Sequence, residues 1–158
     1  MLFAKLAHGS ILLGDLCSRI RFGVVISGNF ETVVSDKKHG EKWKPFLEGD
    51  EIGAFVTKYR GRFLRYEKDL LHRSRTPDIF ETRKIMIQRI TGGETPLKAT
   101  LDNNGFYNKE SILNLILGTE DVSYEYILGV LNSRLANWYF KRRFTNSSKL
   151  TVNLSKEY

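Results

Sequence analysis

The sequence contains one cysteine, Cys17, so no disulfide can form within the chain. Its three histidines, His8, His39 and His72, stand at no ligand or triad spacing, and no Cys/His cluster is present to hold zinc. Cys17 lies in an apolar stretch and reads as a buried bystander rather than a nucleophile. Such cysteine usage fits a reducing, cytoplasmic setting. Long apolar runs are missing too. No stretch of about 18 apolar residues exists, so no segment reads as a membrane-spanning helix. The start, MLFAKLAHGSILLGDLC, is broken by Lys5, His8 and Asp15 and lacks a clean small-x-small cleavage site, so it does not read as a secretion signal. Proline occurs three times and never next to another proline, so an Asp/Asn-Pro-Pro-Tyr site for amino-group methylation is absent. Gly23 and Gly28 have the glycine spacing of a phosphate loop, but no Gly-Lys-Ser/Thr follows them.

What is present suits one folded domain. The chain has 158 residues, 41% hydrophobic and 12% aromatic, enough to bury a core and to argue against disorder. Lys and Arg outnumber Asp and Glu by 25 to 18, and a net charge of +7 favours a polyanionic partner.

Residues 13–34 are short apolar runs punctuated by Gly14, Gly23 and Gly28. The β-formers around the Ser27-Gly28-Asn29 turn predict a strand pair, with a short helix over 15–21. Residues 35–41 read as a loop and 44–50 as a turn. Further strands are predicted over 52–59, 62–66, 85–90 and 97–101, the last ending at Asp102-Asn103-Asn104-Gly105, a strong turn signal. Thr76-Pro77-Asp78 marks a helix or turn start. Residues 109–117 place Ile112, Leu113, Ile116 and Leu117 on one helical face, with Gly118 as the stop. Residues 122–142 carry an apolar stripe at spacings of three and four, capped by Asp121 or Ser123. The class is α+β: a mixed β-sheet region followed by a C-terminal helical pair.

Few residues point to bond chemistry. Asp36-Lys37-Lys38 has the Asp-x-Lys spacing of a metal nuclease, and Asp15 precedes it. A Mg2+-dependent nuclease using Asp15, Asp36 and Lys38 is therefore one alternative, set against a solvated charged loop, the simpler reading of so common a spacing. Glu48, Asp50 and Glu51 read as a solvated turn beside a strand rather than a metal site or an acceptor for cytosine amino groups.

The basic residues are more suggestive. Lys58, Arg60, Arg62, Arg65 and Lys68 alternate with Tyr59, Phe63 and Tyr66, and on one strand Arg60 and Arg62 share a face. Arginine contacts phosphate or reads guanine, and aromatics between can pack or stack. A second set is His72, Arg73, Arg75, Arg83, Lys84, Gln88 and Arg89. A third, Lys141, Arg142 and Arg143, reads as helix-end charge. The candidate DNA-binding residues are Lys58, Tyr59, Arg60, Arg62, Arg65, Arg83, Gln88 and Arg89, with no catalytic residue among them.

Four blocks then fall in a familiar order: LCSRIRFGVVISGNFETVV (16–34), KPFLEGDEI (44–52), RKIMIQRI (83–90) and YILGVLNSRLANWYF (126–140). The stretch 99–112, with Asp102, Tyr107 and Asn108, fits between them, and Leu-Asn-Ser-Arg-Leu (131–135) is the most distinctive piece. Together they resemble the TaqI-like C-terminal specificity domain, the target-recognition domain of fused restriction–modification enzymes. The resemblance implies a domain that reads DNA sequence C-terminal to an adenine methyltransferase core, often beside a nuclease region. It implies S-adenosylmethionine and Mg2+ for that parent enzyme and no cofactor here. Glu48 and Asp50 depart from it, because members often carry basic residues there. This loop is therefore assigned a base edge or packing against the parent, not phosphate contact.

The expectation is a single target-recognition domain over 1–158, cut from a larger restriction–modification protein. Its partners are double-stranded DNA and the methyltransferase and nuclease regions of the parent. It touches no membrane and is not itself an enzyme. An RNA- or protein-binding module is the remaining alternative.

Overall fold

Six consecutive residues, Ile-Leu-Asn-Leu-Ile-Leu, organise the molecule, and they do so as a strand. The computed structural model describes residues 8–91, 93, 95–144 and 152–153. Its strands are β1 (Cys17–Phe22), β2 (Val25–Ile26), β3 (Val34–Ser35), β4 (Trp43–Leu47), β5 (Phe63–Arg65), β6 (Leu71–Arg73), β7 (Lys84–Gln88), β8 (Ile90–Thr91), β9 (Ala99–Asp102), β10 (Tyr107–Asn108), β11 (Ile112–Leu117) and β12 (Val152–Asn153). Its helices are α1 (Leu13–Leu16), α2 (Phe30–Val33), α3 (Asp78–Glu81), α4 (Tyr124–Asn132) and α5 (Arg134–Phe144), with single 3-10 turns at Gly49–Glu51 and Lys68–Leu70.

The main sheet has the order β1-β11-β7-β9 and is antiparallel throughout. Strand alternation sends Leu113 and Leu115 to one face, where they join Ile85, Ile87 and Ala99 beneath Ile127, Leu128 and Phe140 of the helices. The other face carries Ile112 and Met86, which pack with Leu47 and Ile52. A second sheet, β10-β4-β5-β3, is antiparallel except where β10 runs parallel to β4. It builds its own core from Phe46, Leu64, Val33 and Val34 with Phe80 and Tyr107, whose rings stack at 4.5 Å.

Polar groups join the two sheets. Asn114 of β11 and Asn108 of β10 exchange amide hydrogen bonds at 2.7 and 2.9 Å while almost wholly buried. Gly23 passes directly over this pair. A Cβ there would lie 2.1 Å from the Asn108 carbonyl oxygen and 2.4 Å from its Oδ1, so only glycine fits. Lys84 and Asp102 form a fully buried ion pair. Burial pushes the Lys84 ammonium below the ordinary lysine value, and Asp102 offsets part of that shift. Asp102 also accepts from the backbone N–H groups of Asn104 and Phe106 at 2.8 and 2.9 Å, which shapes the 102–105 turn.

The α+β class holds, but several elements differ from the sequence expectation. Residues 112–117 form the central strand, not a helix. The run is apolar on both sides and buried on both, and its spacing alone does not separate the two structures. The predicted helix over 15–21 is a short turn of helix followed by β1. The predicted turn over 44–50 begins as β4. Pro45 is tolerated there because β10 reaches β4 only at Phe46 and Leu47, leaving the side toward which a Pro45 N–H would point unpaired. Residues 52–59 form a clamped loop, with only an Ile52–Thr57 bridge, instead of a strand. The single long helix breaks at Ser133, which is extended and caps α5 by accepting from Ala136 N–H at 3.0 Å. Ser123 caps α4 in the same way, accepting from Tyr126 N–H at 3.1 Å.

Two asparagines at that break hold the helices to the sheet. Asn132 accepts from Ala99 N–H at 3.0 Å and donates to Ala99 O at 2.9 Å. Asn137 accepts from Leu97 N–H at 2.7 Å. Together they cover the outer edge of β9, which an exposed strand would leave open to pairing.

Candidate nucleic-acid interface

The predicted basic residues separate into distinct surroundings, and acidic residues decide which is which. Glu51 is fully buried and is the organising group of residues 48–62. Its Oε2 accepts from Glu48 N–H at 2.8 Å and from Arg62 Nη2 at 2.6 Å, and its Oε1 accepts from Arg60 N–H at 2.9 Å. Glu48 holds Arg62 Nη1 at 2.6 Å and Lys109 Nζ at 3.2 Å. Burial opposes ionisation of Glu48, but hydrogen bonds from Arg62 and Lys109 outweigh it and hold the carboxyl below its ordinary range. Glu51 and Glu48 therefore form a buried to half-buried frame where a solvated turn was expected, and only Asp50 remains exposed. The frame forms because these carboxylates meet the cations predicted for DNA. Arg62 is committed to two of them, and Arg60 pairs with Asp50 on the surface. Tyr59 donates to Arg62 O at 2.7 Å and packs on Phe106 at 4.9 Å.

Beside this frame lies an open groove of about 380 Å³, lined by Asp50, Ile52, Gly53, Ala54, Val56, Lys58, Gln88, Thr95 and Lys98. It brings together Lys58 and Gln88, which come from the two separate predicted sets. The frame positions Lys58 through Lys58 N–H to Glu51 O at 2.8 Å. Strand β7 positions Gln88, whose N–H donates to Lys98 O at 3.0 Å, so the register sets Lys98 beside it. Lys58 and Lys98 carry no ion pair among the described residues. The Gln88 Oε1 atom is buried and has no hydrogen-bond partner among the described residues.

The other predicted residues lie elsewhere. Arg65 pairs with Glu67 at 2.6 Å, on an open cleft of about 430 Å³ that also holds Trp43 and His39. Arg83 pairs with Glu125 and lies over the Tyr124 ring at 4.8 Å. Arg89 lies over the Phe22 ring at 4.4 Å. Asp15 belongs to α1, and Asp36 and Lys38 to the loop after β3. Among the described residues no three His, Cys, Asp or Glu side chains converge as a metal site would require. Sequence reasoning did not single out Lys98, Phe55 or Val56. Gly53, a break inside a predicted strand, was the one signal for the latter two.

The chain belongs to the TaqI-like C-terminal specificity domain family, whose model matches residues 44–158. It is also similar to a protein of Methanocaldococcus jannaschii that bears the name of a type II restriction enzyme and methyltransferase, with 27% identity over 108 residues. The match covers 67% of this chain and 9% of that much longer protein. Among the described residues, no helix is long and apolar enough to cross a membrane.

Proposed function

We propose that residues 1–158 form one recognition unit that reads a specific double-stranded DNA sequence for a restriction–modification enzyme and carries no catalytic residue. The observation that carries this reading is the groove. Two lysines with no ion pair among the described residues line the groove together with the Gln88 amide, while the neighbouring Arg60 and Arg62 are neutralised within the fold. Lysines supply phosphate contact, and glutamine is suited to the N6 and N7 positions of adenine. Membership of a specificity-domain family and the name of the M. jannaschii relative support the same reading.

Lys58 and Gln88 are the primary contacts in this reading, with Lys98 added. Arg60, Arg65, Arg83 and Arg89 are peripheral, and Arg62 and Tyr59 hold the loop that presents Lys58. Methyl transfer from S-adenosylmethionine and Mg2+-dependent cleavage belong to methyltransferase and nuclease regions outside this chain. The setting is the cytoplasm.

The test is selection from a randomised duplex pool at low and moderate salt, followed by sequencing. One short enriched motif that survives moderate salt is the expected result. Binding without enrichment that vanishes as salt rises would overturn the reading and leave only a basic surface.

A further inference from the structure

Phe55 is held where an aromatic residue has no stabilising reason to be. It is the one described non-glycine residue with positive φ, 63°, a conformation that bulky side chains rarely adopt. Its side chain gains little burial in return, because the residue is 60% exposed. The loop is nevertheless clamped. Gly53 N–H donates to Val56 O at 2.9 Å, and Phe55 N–H donates to Ala99 O at 2.8 Å on the rim of the main sheet. Strain kept in a fixed backbone around an outward-facing apolar side chain is the signature of a contact residue.

The flanking residues Ala54 and Val56 line the same groove as Lys58, Gln88 and Lys98. An occupant of this groove meets two cations and the apolar side chain of Phe55, and gives the Gln88 amide a donor once its buried, unpartnered Oε1 turns outward. The major groove of duplex DNA suits all three, with phosphates, the adenine amino group and the thymine C5 methyl.

We propose that Phe55 reads the C5 methyl of a thymine in the major groove, beside an adenine read by Gln88. This rests on the DNA-recognition reading above. It assigns a sequence content: the recognised site includes A·T pairs at the Phe55 and Gln88 positions.

The test uses the duplex enriched from a randomised pool, synthesised with thymine and then with deoxyuridine at each thymine in turn. Uracil lacks only the methyl. Loss of one buried methyl should weaken binding about four-fold, from about 0.8 kcal/mol per buried carbon. The expected result is a four-fold loss at one position for the unaltered chain and for Phe55→Leu, and no loss for Phe55→Gly. Glycine accepts the positive φ, so the loop keeps its shape. Phe55→Asn is the second variant should Phe55→Gly fail to fold, because asparagine also tolerates that region. An enriched motif with no uracil effect, or an effect that persists without Phe55, overturns the thymine assignment and leaves DNA recognition standing. No enriched motif at all overturns DNA recognition and this inference with it.

Discussion

Arg62 Nη2 lies 2.6 Å from Glu51 Oε2, on a side chain with no exposed surface. The same guanidinium holds Glu48 with its other terminal nitrogen, also at 2.6 Å. This pairing commits Arg62, in the middle of the cationic stretch 58–65, to a structural frame. Removing Glu51 leaves Arg62 with Glu48 alone and strips the Glu48 and Arg60 N–H groups of their acceptor. Glu51→Ala is expected to cost about 3 kcal/mol, read from urea unfolding. The double variant Glu51→Gln with Arg62→Met should lose less than the two single changes added together, because one interaction is removed rather than two.

The frame also has a pH signature. Glu48 titrates below its ordinary value of 4.5 in the folded chain. Its contribution is present above that value and is lost as pH falls through the lower folded one. Thermal unfolding of the unaltered chain should therefore lose stability below about pH 4.5, and Glu48→Gln should show a shallower loss over that window. A slope unchanged by Glu48→Gln would assign the acid sensitivity to other carboxylates.

The division between framing and contacting cations can be measured by salt titration. Lys58→Ala and Lys98→Ala should each reduce the slope of log affinity against log salt by about one and leave Tm nearly unchanged. Arg62→Ala should lower Tm first. Equal effects of all three on the slope would contradict the separation between groove and frame.

Gly23→Ala tests the contact between the sheets. A methyl group 2.1 Å from the Asn108 carbonyl oxygen and 2.4 Å from that of Lys109 has no space unless the backbone at 108–109 moves, and the Asn108–Asn114 pair with it. The expected loss is about 3 kcal/mol or more in urea unfolding, at the upper end for overpacking. Gly14→Ala, with nothing near its Cβ, is the control and should leave stability nearly unchanged.

Asn132→Ala removes the cover from the β9 edge. It leaves the Ala99 N–H without its side-chain acceptor, a cost of about 1–3 kcal/mol. The variant should unfold at lower urea and be cut by protease near the helices before the sheet. Asn132→Asp restores the acceptor but not the donor, so its stability should fall between the two.

Much of this was legible in the chain, for identifiable reasons. Strand β7 carries the β-branched Ile85 and Ile87, and strand β9 ends at the Asp-Asn turn signal, which acts locally. The start of α4 follows from Ser123, because a cap acts within one helical turn. The central strand β11 was not legible. Its apolar spacing fits both a helix and a strand buried on two faces, and β1, β7 and the helices above decide between them. Ser133 hides its break because the apolar stripe continues on both sides of it.

The candidate interface divides in the same way. Residue order and spacing determine the family resemblance, the α+β class, the basic excess and the absence of a phosphate loop or zinc spacing, because each is a property of local pattern or composition. The tertiary structure alone decides which cations face outward. Glu48, Asp50 and Glu51 fold back onto Arg60 and Arg62, and β7 with β9 carries Gln88 and Lys98 to Lys58. Charge neutralisation depends on distances of a few ångströms between residues far apart in the chain, and only folding sets those distances.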